Sequence, residues 1–277
     1  MQHRHTDRKQ YFTEQSNTSK EYYLNYVNAI HPLSDGMRVL EVGCGEGGNL
    51  LPFAEIGCRV SGIDISAKQI DNAKQFFYES GLSADFVASD FMNVPSPVSE
   101  EDKFDVVLVH DVIEHIEPPF KAGFVAHVKS FMRRDAIVFF AFPAWQMPFG
   151  GHQQICRSKL SIVPYLHLLP TPLYRMILRA CKEPVGVVDE LLSIKRSGLA
   201  VEQFEHLAAG QGLQTVKRTL WFINPHYKQK FGLKPRVEIW GFNKLYGLRD
   251  FYTTSAWYLL ADANSGGSHA ASGSRPA

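Results

Sequence analysis

An acid, three glycines and a second acid stand at spacings that suit a ligand. They are Glu41, then Gly43, Gly45 and Gly48 on the G-x-G-x-x-G pattern, then Asp64. Glycines at such a turn let the chain bend sharply and let a ligand approach the backbone unobstructed. A helix opening near Leu50-Leu51 would offer unpaired N–H groups to a polar or anionic group. Glu41 lies two residues ahead of the first glycine, where a bare dinucleotide site keeps an apolar residue. An ionised carboxylate there suits a cationic amine and repels a pyrophosphate. Asp64, at a second strand end roughly twenty residues on, can accept hydrogen bonds from both hydroxyls of a ribose. Further along, His110-Asp111-Val112-Ile113-Glu114-His115 gathers two imidazoles and two carboxylates. If this block opens a helix, Asp111, Glu114 and His115 share one face at i, i+3 and i+4. His152 follows Gly150-Gly151, and an imidazole on so permissive a loop can take a proton from a hydroxyl near neutral pH.

The elements that position these residues alternate. Val39-Leu40 with Val42 reads as a buried strand, followed by a helix over 47–57, a strand over 59–64 and a helix over 67–80 capped by Ser66. Phe86-Val87-Ala88 is a third strand. Phe104 to Val109 and Ala136 to Phe142 are near-continuous apolar runs, as central parallel strands buried on both faces require. A helix over Phe120 to Met132 separates them. Strand and helix in alternation mark a doubly wound sheet, whose ligands sit at the carboxyl ends of the strands. A helix over Lys20 to Ile30, closed by Pro32, precedes the core, and residues 1 to about 17 read as polar and mobile. From Pro143 to Ser197 the alternation breaks for longer than an ordinary connection. It resumes with a helix over Leu199 to Ala209, a strand over Gln214 to Ile223 and a last strand over Phe251 to Leu260. The run Tyr227 to Arg236 carries Lys228, Lys230, Lys234 and Arg236, which read either as a solvated loop or as a contact for an anion. Residues 264–277 are low-complexity and expected to be disordered.

Glu41 with its glycines, and Asp64 after the second strand, resemble motifs I and II of the class I S-adenosylmethionine-dependent methyltransferases. The resemblance covers about residues 36 to 143. It implies an α/β, doubly wound, Rossmann-like seven-stranded sheet with helices on both faces and a cap inserted after the fifth strand. The implied parts are an N-terminal helical lid (1–35), a cofactor-binding core (36–143), a substrate cap (144–197), a C-terminal completion of the core (198–263) and a tail (264–277). The implied cofactor is S-adenosyl-L-methionine, held by Glu41, Gly43, Cys44, Gly45, Asp64, Ile65, Asp90, Phe91 and His110. Asp90 stands where the family hydrogen-bonds the adenine amino group, with Phe91 able to pack on the base; alternatively Asp90 caps the next turn. Asp111, Glu114 and His115 resemble the E-x-x-E-H motif of ubiquinone-pathway O-methyltransferases, whose acids and histidine hold a divalent metal. Asp111 replaces the first Glu there with a shorter side chain, and no metal is assigned.

The cofactor supplies the reactive methyl, so the enzyme chiefly aligns the acceptor and removes its proton. His152 and His115 are the catalytic candidates on the acceptor side. Trp145, Phe149, Gln153 and Tyr165 are the substrate-binding candidates, although core packing would equally explain the three aromatics, and a hydrogen bond within the cap would equally explain His152. An oxygen acceptor that is aromatic, lipidic or glycan-linked is the first expectation. An N- or C-methyltransferase, a non-catalytic cofactor-binding partner and, against Glu41, a nicotinamide oxidoreductase are the rivals.

The 277 residues suit one large domain with an insertion, and 45% apolar residues suffice for a core. Twenty-nine Lys and Arg against 28 Asp and Glu leave a charge of +1, a weak long-range pull toward nucleic acid or anionic membrane. Cys44, Cys58, Cys156 and Cys181 form no C-x-x-C pair, which argues against a zinc knuckle or a disulfide framework and fits a cytoplasmic protein. The polar, basic start and the absence of a long apolar run predict neither a signal peptide nor a transmembrane segment. A small-molecule acceptor is the expected partner, with no nucleic acid and the oligomeric state open.

Overall fold

The computed structural model describes residues 7–239, 241 and 244–264. Its centre is one sheet of eight strands: β1 Arg38–Val42, β2 Arg59–Asp64, β3 Asp85–Ala88, β4 Phe104–His110, β5 Met132–Phe142, β6 Leu213–Ile223, β7 Arg236–Val237 and β8 Ser255–Asp262. The order is β3-β2-β1-β4-β5-β8-β6-β7. Strands β1 to β5 run parallel, and β8 lies antiparallel between β5 and β6. The expected seventh strand is therefore followed by an eighth, the two-residue edge pair Arg236–Val237. The basic run expected as a loop includes this edge and a short helix, and Lys228 there pairs with Glu21 at 2.7 Å.

The helices are α1 Arg8–Thr18, α2 Leu24–Asn28, α3 Leu51–Glu55, α4 Ala67–Glu79, α5 Pro118–Ser130, α6 Thr171–Ala180, α7 Val185–Ser197, α8 Val201–Gly210 and α9 His226–Phe231. Period-two alternation on buried strands divides the core. Val107 and Val109 face a layer holding Phe124, Val125, Phe204 and Tyr258, while Val106 and Leu108 face one holding Tyr23, Tyr26, Phe53 and Phe77. Each such fully buried side chain stabilises the fold by about 1.5–3 kcal/mol. The two layers fix the strand ends where the glycine turn and the His110–His115 block emerge.

Two sequence expectations about the chain ends need correction. Residues 1 to about 17 read as mobile, yet helix starts at Arg8, with Asp7 accepting from the Gln10 N–H as its cap. The helix escaped notice because its buried positions, Phe12, Gln15, Ser16 and Thr18, are mostly polar and make no apolar stripe. It continues through a π turn, Ser19–Tyr23, into α2. The last strand starts at Ser255 and not at Phe251, which lies in a 3₁₀ turn, Arg249–Phe251. Residues 265–277, most of the expected disordered tail, lie outside the described residues.

The segment after β5 carries α6 and α7 around a small core of its own, including Cys156, Leu166, Tyr174, Leu178 and Leu191. Its ends meet: the Trp145 N–H donates to the Leu199 carbonyl at 3.0 Å. Helix α7 lies against the turn Ile113–His115. No helix among the described residues is long and apolar enough to cross a membrane. All four cysteines are free, Cys181 exposed and the others buried.

Candidate active site

The glycine turn is held from below by backbone. The N–H groups of Gly43 and Cys44 both donate to the Ile63 carbonyl, at 2.8 and 3.1 Å. Asp64 closes it from the side, accepting from the Gly45 N–H at 2.9 Å and the Ser66 N–H at 2.8 Å. Gly45 has φ +53° and open space where a Cβ would stand, so a ligand meets bare backbone there. Cys44 is buried beneath, and Ile65 is exposed beside Asp64.

Glu41 is buried at the end of β1. Its Oε1 accepts from Asn49 Nδ2 at 2.7 Å, and its Oε2 is buried with no protein partner. Burial pushes the Glu41 carboxyl up to about 8, against the Asn49 hydrogen bond and with help from Asp64. A carboxylate left half-satisfied in this way is a receptor for a cation. A cavity of about 150 Å³ lies between α1 and the turn, lined by Tyr11, Gln15, Gly45, Asn49, Asp64 and His110 among others. Its roof is tight. A Cβ on Gly48 would stand 2.6 Å from the Phe12 carbonyl and 2.8 Å from Gln15 Cβ, so the third glycine serves the approach of α1. Arg8 on α1 also pairs with the buried Glu46 of the turn.

His110 ends β4 in this cavity, its Nε2 2.8 Å from the Tyr23 hydroxyl. Tyr23 comes from the π turn, is fully enclosed, and its hydroxyl is held far from ionisation by burial and then by Asp111 and Glu41. Sequence reasoning missed Tyr23 and Asn49. The only available signals were the aromatic spacing at Tyr22, Tyr23 and Tyr26 and a polar Asn among the apolar residues after the turn.

Asp90 shows the capping role given as its alternative, and Phe91 departs from the packing on a base expected of it. The exposed Asp90 accepts from the Met92 N–H at 3.0 Å and caps a short turn. Phe91 is buried against Phe124, His127 and Phe131, with ring centroids 5.8, 4.7 and 5.0 Å away, and offers no face to a base.

The block after β4 is not an α-helix. Asp111 takes φ +53°, and only Ile113–His115 winds as a 3₁₀ turn. Asp111, though exposed, lines the cofactor cavity and stays outside the cluster that Glu114 and His115 join, so the expected face of Asp111, Glu114 and His115 does not form. Instead Glu114 and His115 meet His152, whose ring centroid lies 5.0 Å from that of His115. One ligand atom from each of Glu114, His115 and His152 falls within 4.8 Å of the others. Glu114 is 4% exposed, and both of its carboxylate oxygens are buried without a hydrogen bond, Oε1 lying 3.9 Å from His115 Nε2. Burial raises its pKa well above the usual range, and Asp111 adds to this. Lys121, whose ammonium donates to the Ile113 carbonyl, is brought down to about 8 by burial, opposed by Glu114. His152 is lowered to about 4 by burial and then by His115. His115 is lowered by burial, with Asp111 opposing. The metal triad of the resembling motif thus does not assemble here, whereas a set of two imidazoles and one carboxylate does.

The four substrate candidates separate. Gln153 is fully buried, its Nε2 donating to the carbonyls of Pro148 and Val163, so it braces the loop instead of facing a substrate. Trp145 is clamped by His167, at a centroid distance of 4.6 Å, and by Gly198, where a Cβ would strike the indole. Phe149 is half-buried beside His152, whose N–H it accepts. Tyr165 is partly exposed at φ +61°, with its hydroxyl 3.4 Å from the Phe251 carbonyl.

An orphaned carboxylate at a strand end, a bare glycine turn and an acid at the next strand end define a Rossmann-like site for a nucleoside bearing a cationic tail. Residues 39–135 match the family described as "Methyltransferase domain". A ubiquinone biosynthesis O-methyltransferase of Thiobacillus denitrificans is 36% identical over 121 residues, 43% of this chain and 49% of that protein. The chain spans about half the length of the curated relatives it matches. Among solved structures, the magnesium protoporphyrin IX methyltransferase of Synechocystis PCC 6803 with bound S-adenosylhomocysteine superposes with TM-score 0.51 at 16% identity, over 89% of this chain and 83% of that one. An S-adenosylmethionine-dependent methyltransferase of Clostridium acetobutylicum gives 0.56 at 10% identity, over 89% and 91%. Residues 39–135 therefore carry the likeness to a methyltransferase domain, and the superposed S-adenosylmethionine-dependent enzymes share the fold around it.

Proposed function

We propose that the protein transfers the methyl group of S-adenosylmethionine to an oxygen of a small acceptor, aromatic, lipidic or glycan-linked, in the cytoplasm. The Glu41 carboxylate receives the ammonium of the cofactor tail at Oε2, Asp64 the ribose, and bare backbone at Gly45 the passing chain. Residues 7–35 act as a lid. The cavity beneath is about 150 Å³, roughly half the lower bound of ordinary ligand sites, so α1 shifts as the cofactor enters. The acceptor oxygen attacks the methyl carbon, the carbon–sulfur bond breaks toward sulfur, and the acceptor proton passes to a base. The observation that carries the reading is the meeting of His115 and His152 beyond the cofactor cavity, one from the core and one from the inserted segment. That segment, 144–197, closes the acceptor side as a cap, and Phe149 and Tyr165 are its open aromatic contacts. A divalent ion, if bound, would be held by Glu114, His115 and His152 and would supply a Lewis acid to the acceptor oxygen. Incubation with labelled S-adenosylmethionine and panels of phenols, fatty acids and glycans tests the proposal. Labelled product that falls in Glu41→Gln at limiting cofactor and falls in His152→Ala is expected; no product with any acceptor class overturns it.

One observation favours a second reading. An imidazole lowered to about 4 is a weak base, and a neutral amine acceptor attacks through its lone pair and needs none. Equal turnover in His152→Ala and the parent protein on an amine acceptor would select that reading. A protein that binds the cofactor and methylates nothing would be a non-catalytic partner.

A further inference from the structure

The near-neutral total hides a local imbalance. From Ala136 through Lys182 the chain contains no Asp or Glu, yet it carries Arg157, Lys159, Arg175, Arg179 and Lys182. Helix α6 sorts this stretch into three faces. Tyr174 and Leu178 point inward, to the small core of the inserted segment. Leu173 and Met176, one turn apart, are exposed, Met176 at 59%. Arg175 and Arg179 form the third row, also exposed, and Lys182 extends it. Elsewhere in the inserted segment Ile162, at the end of the turn Lys159–Ile162, is 74% exposed, and Val185 at the start of α7 is 77% exposed. Glu183, the first acid after this stretch, is turned inward. It is buried, and its carboxylate accepts the N–H groups of Arg157 and Ser158, both at 2.9 Å, which draws Arg157 to the end of α6. The nearest exposed acids along the chain are Asp189 and Glu190, on α7. This segment lies outside residues 39–135, so nothing in the family match accounts for it.

We propose that this face, Leu173 and Met176 flanked by Arg175, Arg179 and Lys182, docks on an anionic phospholipid surface. Apolar tips interleaved with cations match a headgroup layer, which offers phosphate to one and acyl chain to the other. A surface contact and not a span is what α6 permits, since it has ten residues. The cap would then face the membrane with its acceptor side close by, so a lipid-borne acceptor would reach the site without crossing water. The docking stands apart from the cofactor reading, because neither the glycine turn nor the histidine pair takes part.

Sedimentation of the full chain with phosphatidylcholine vesicles, alone or mixed with phosphatidylglycerol, tests it. Binding to the mixed vesicles only, weakened as salt shortens the Debye length, is expected. Arg175→Glu with Arg179→Glu should lower the vesicle partition by about tenfold or more. Met176→Glu should lower it too, with an unchanged melting curve by circular dichroism. Lys74→Glu with Lys234→Glu, a charge-matched change elsewhere on the surface, should leave it unaltered. Equal binding to neutral vesicles, an equal loss in the control pair, or full binding by the α6 variants overturns the proposal. So does lipid-free self-association in the ultracentrifuge that Met176→Glu abolishes with no effect on vesicle binding, since a second copy would then be the occupant.

Discussion

At the residue scale, Glu41 ties the cofactor reading to a measurable proton. Its carboxyl sits at about 8 in the folded chain against an ordinary value of 4.5. Between these two pH values the native state keeps a proton that the unfolded chain has released. Cofactor-free protein therefore loses stability through Glu41 as pH rises across that window and regains it as pH falls. A cationic tail beside Oε2 reverses the preference, so cofactor affinity should climb toward pH 8 by up to about tenfold per unit. In Glu41→Gln, calorimetric titration should show that slope flattened and affinity down roughly thirtyfold, about 2 kcal/mol for a charged hydrogen bond. A pH-independent affinity in the parent chain would detach Glu41 from the cofactor. His152 titrates in the opposite sense. Held neutral down to about 4, it fails to take up the proton that an unfolded histidine binds from about 6.5 downward, so the stability it contributes is lost as pH falls through that range. If it is the base, the acid limb of kcat should lie nearer pH 4 than 6.5. His152→Ala should then remove that limb and lower kcat by about 10²–10⁴-fold.

At the element scale, Gly48 separates two roles of one motif. Gly43, Gly45 and Gly48 share one spacing, with Gly43 and Gly45 expected at the cofactor, and of the three only Gly45 faces open space. Gly48 instead admits α1, so Gly48→Ala should push the Phe12–Gln15 turn outward. The expected cost is about 1–3 kcal/mol of overpacking, seen as a lowered melting temperature and faster proteolysis before residue 30. Gly45→Ala should leave proteolysis nearly unchanged and weaken cofactor binding. Elements with a strong period were legible in the sequence: β4, β5, α4 with its Ser66 cap, and α8. Helix α1 was not, because it covers a polar site with polar residues. The Asp111 face was missed for a different reason. The i, i+3, i+4 argument assumes helical backbone, and the left-handed Asp111 breaks it at the first residue.

At the scale of the whole molecule, local pattern sufficed for the alternation of strand and helix in the first half but not for what the inserted segment touches. Periodicity indicates which residues turn inward, not which distant loop meets which. The pairing of His115 with His152, 37 positions on in the chain, and the clamp on Trp145 both depend on how the segment returns over the β4 end. The same geometry permits a decisive cut. The segment leaves and re-enters at one point, Trp145 N–H to Leu199 carbonyl at 3.0 Å, and it buries a core of its own. Closing so short a gap costs little chain entropy, and the layers around β4 and β5 keep their contacts. Replacing residues 146–197 with a short glycine-serine linker should therefore leave a folded chain. It should bind S-adenosylhomocysteine within about tenfold of the parent, because Glu41, Gly45, Asp64 and α1 are untouched. Methyl transfer should vanish, because His152 and the cap over Glu114 and His115 are gone. A truncated chain that neither folds by circular dichroism nor binds the nucleoside would show the segment to be part of the core. One that still methylates the same acceptor would place the acceptor site elsewhere.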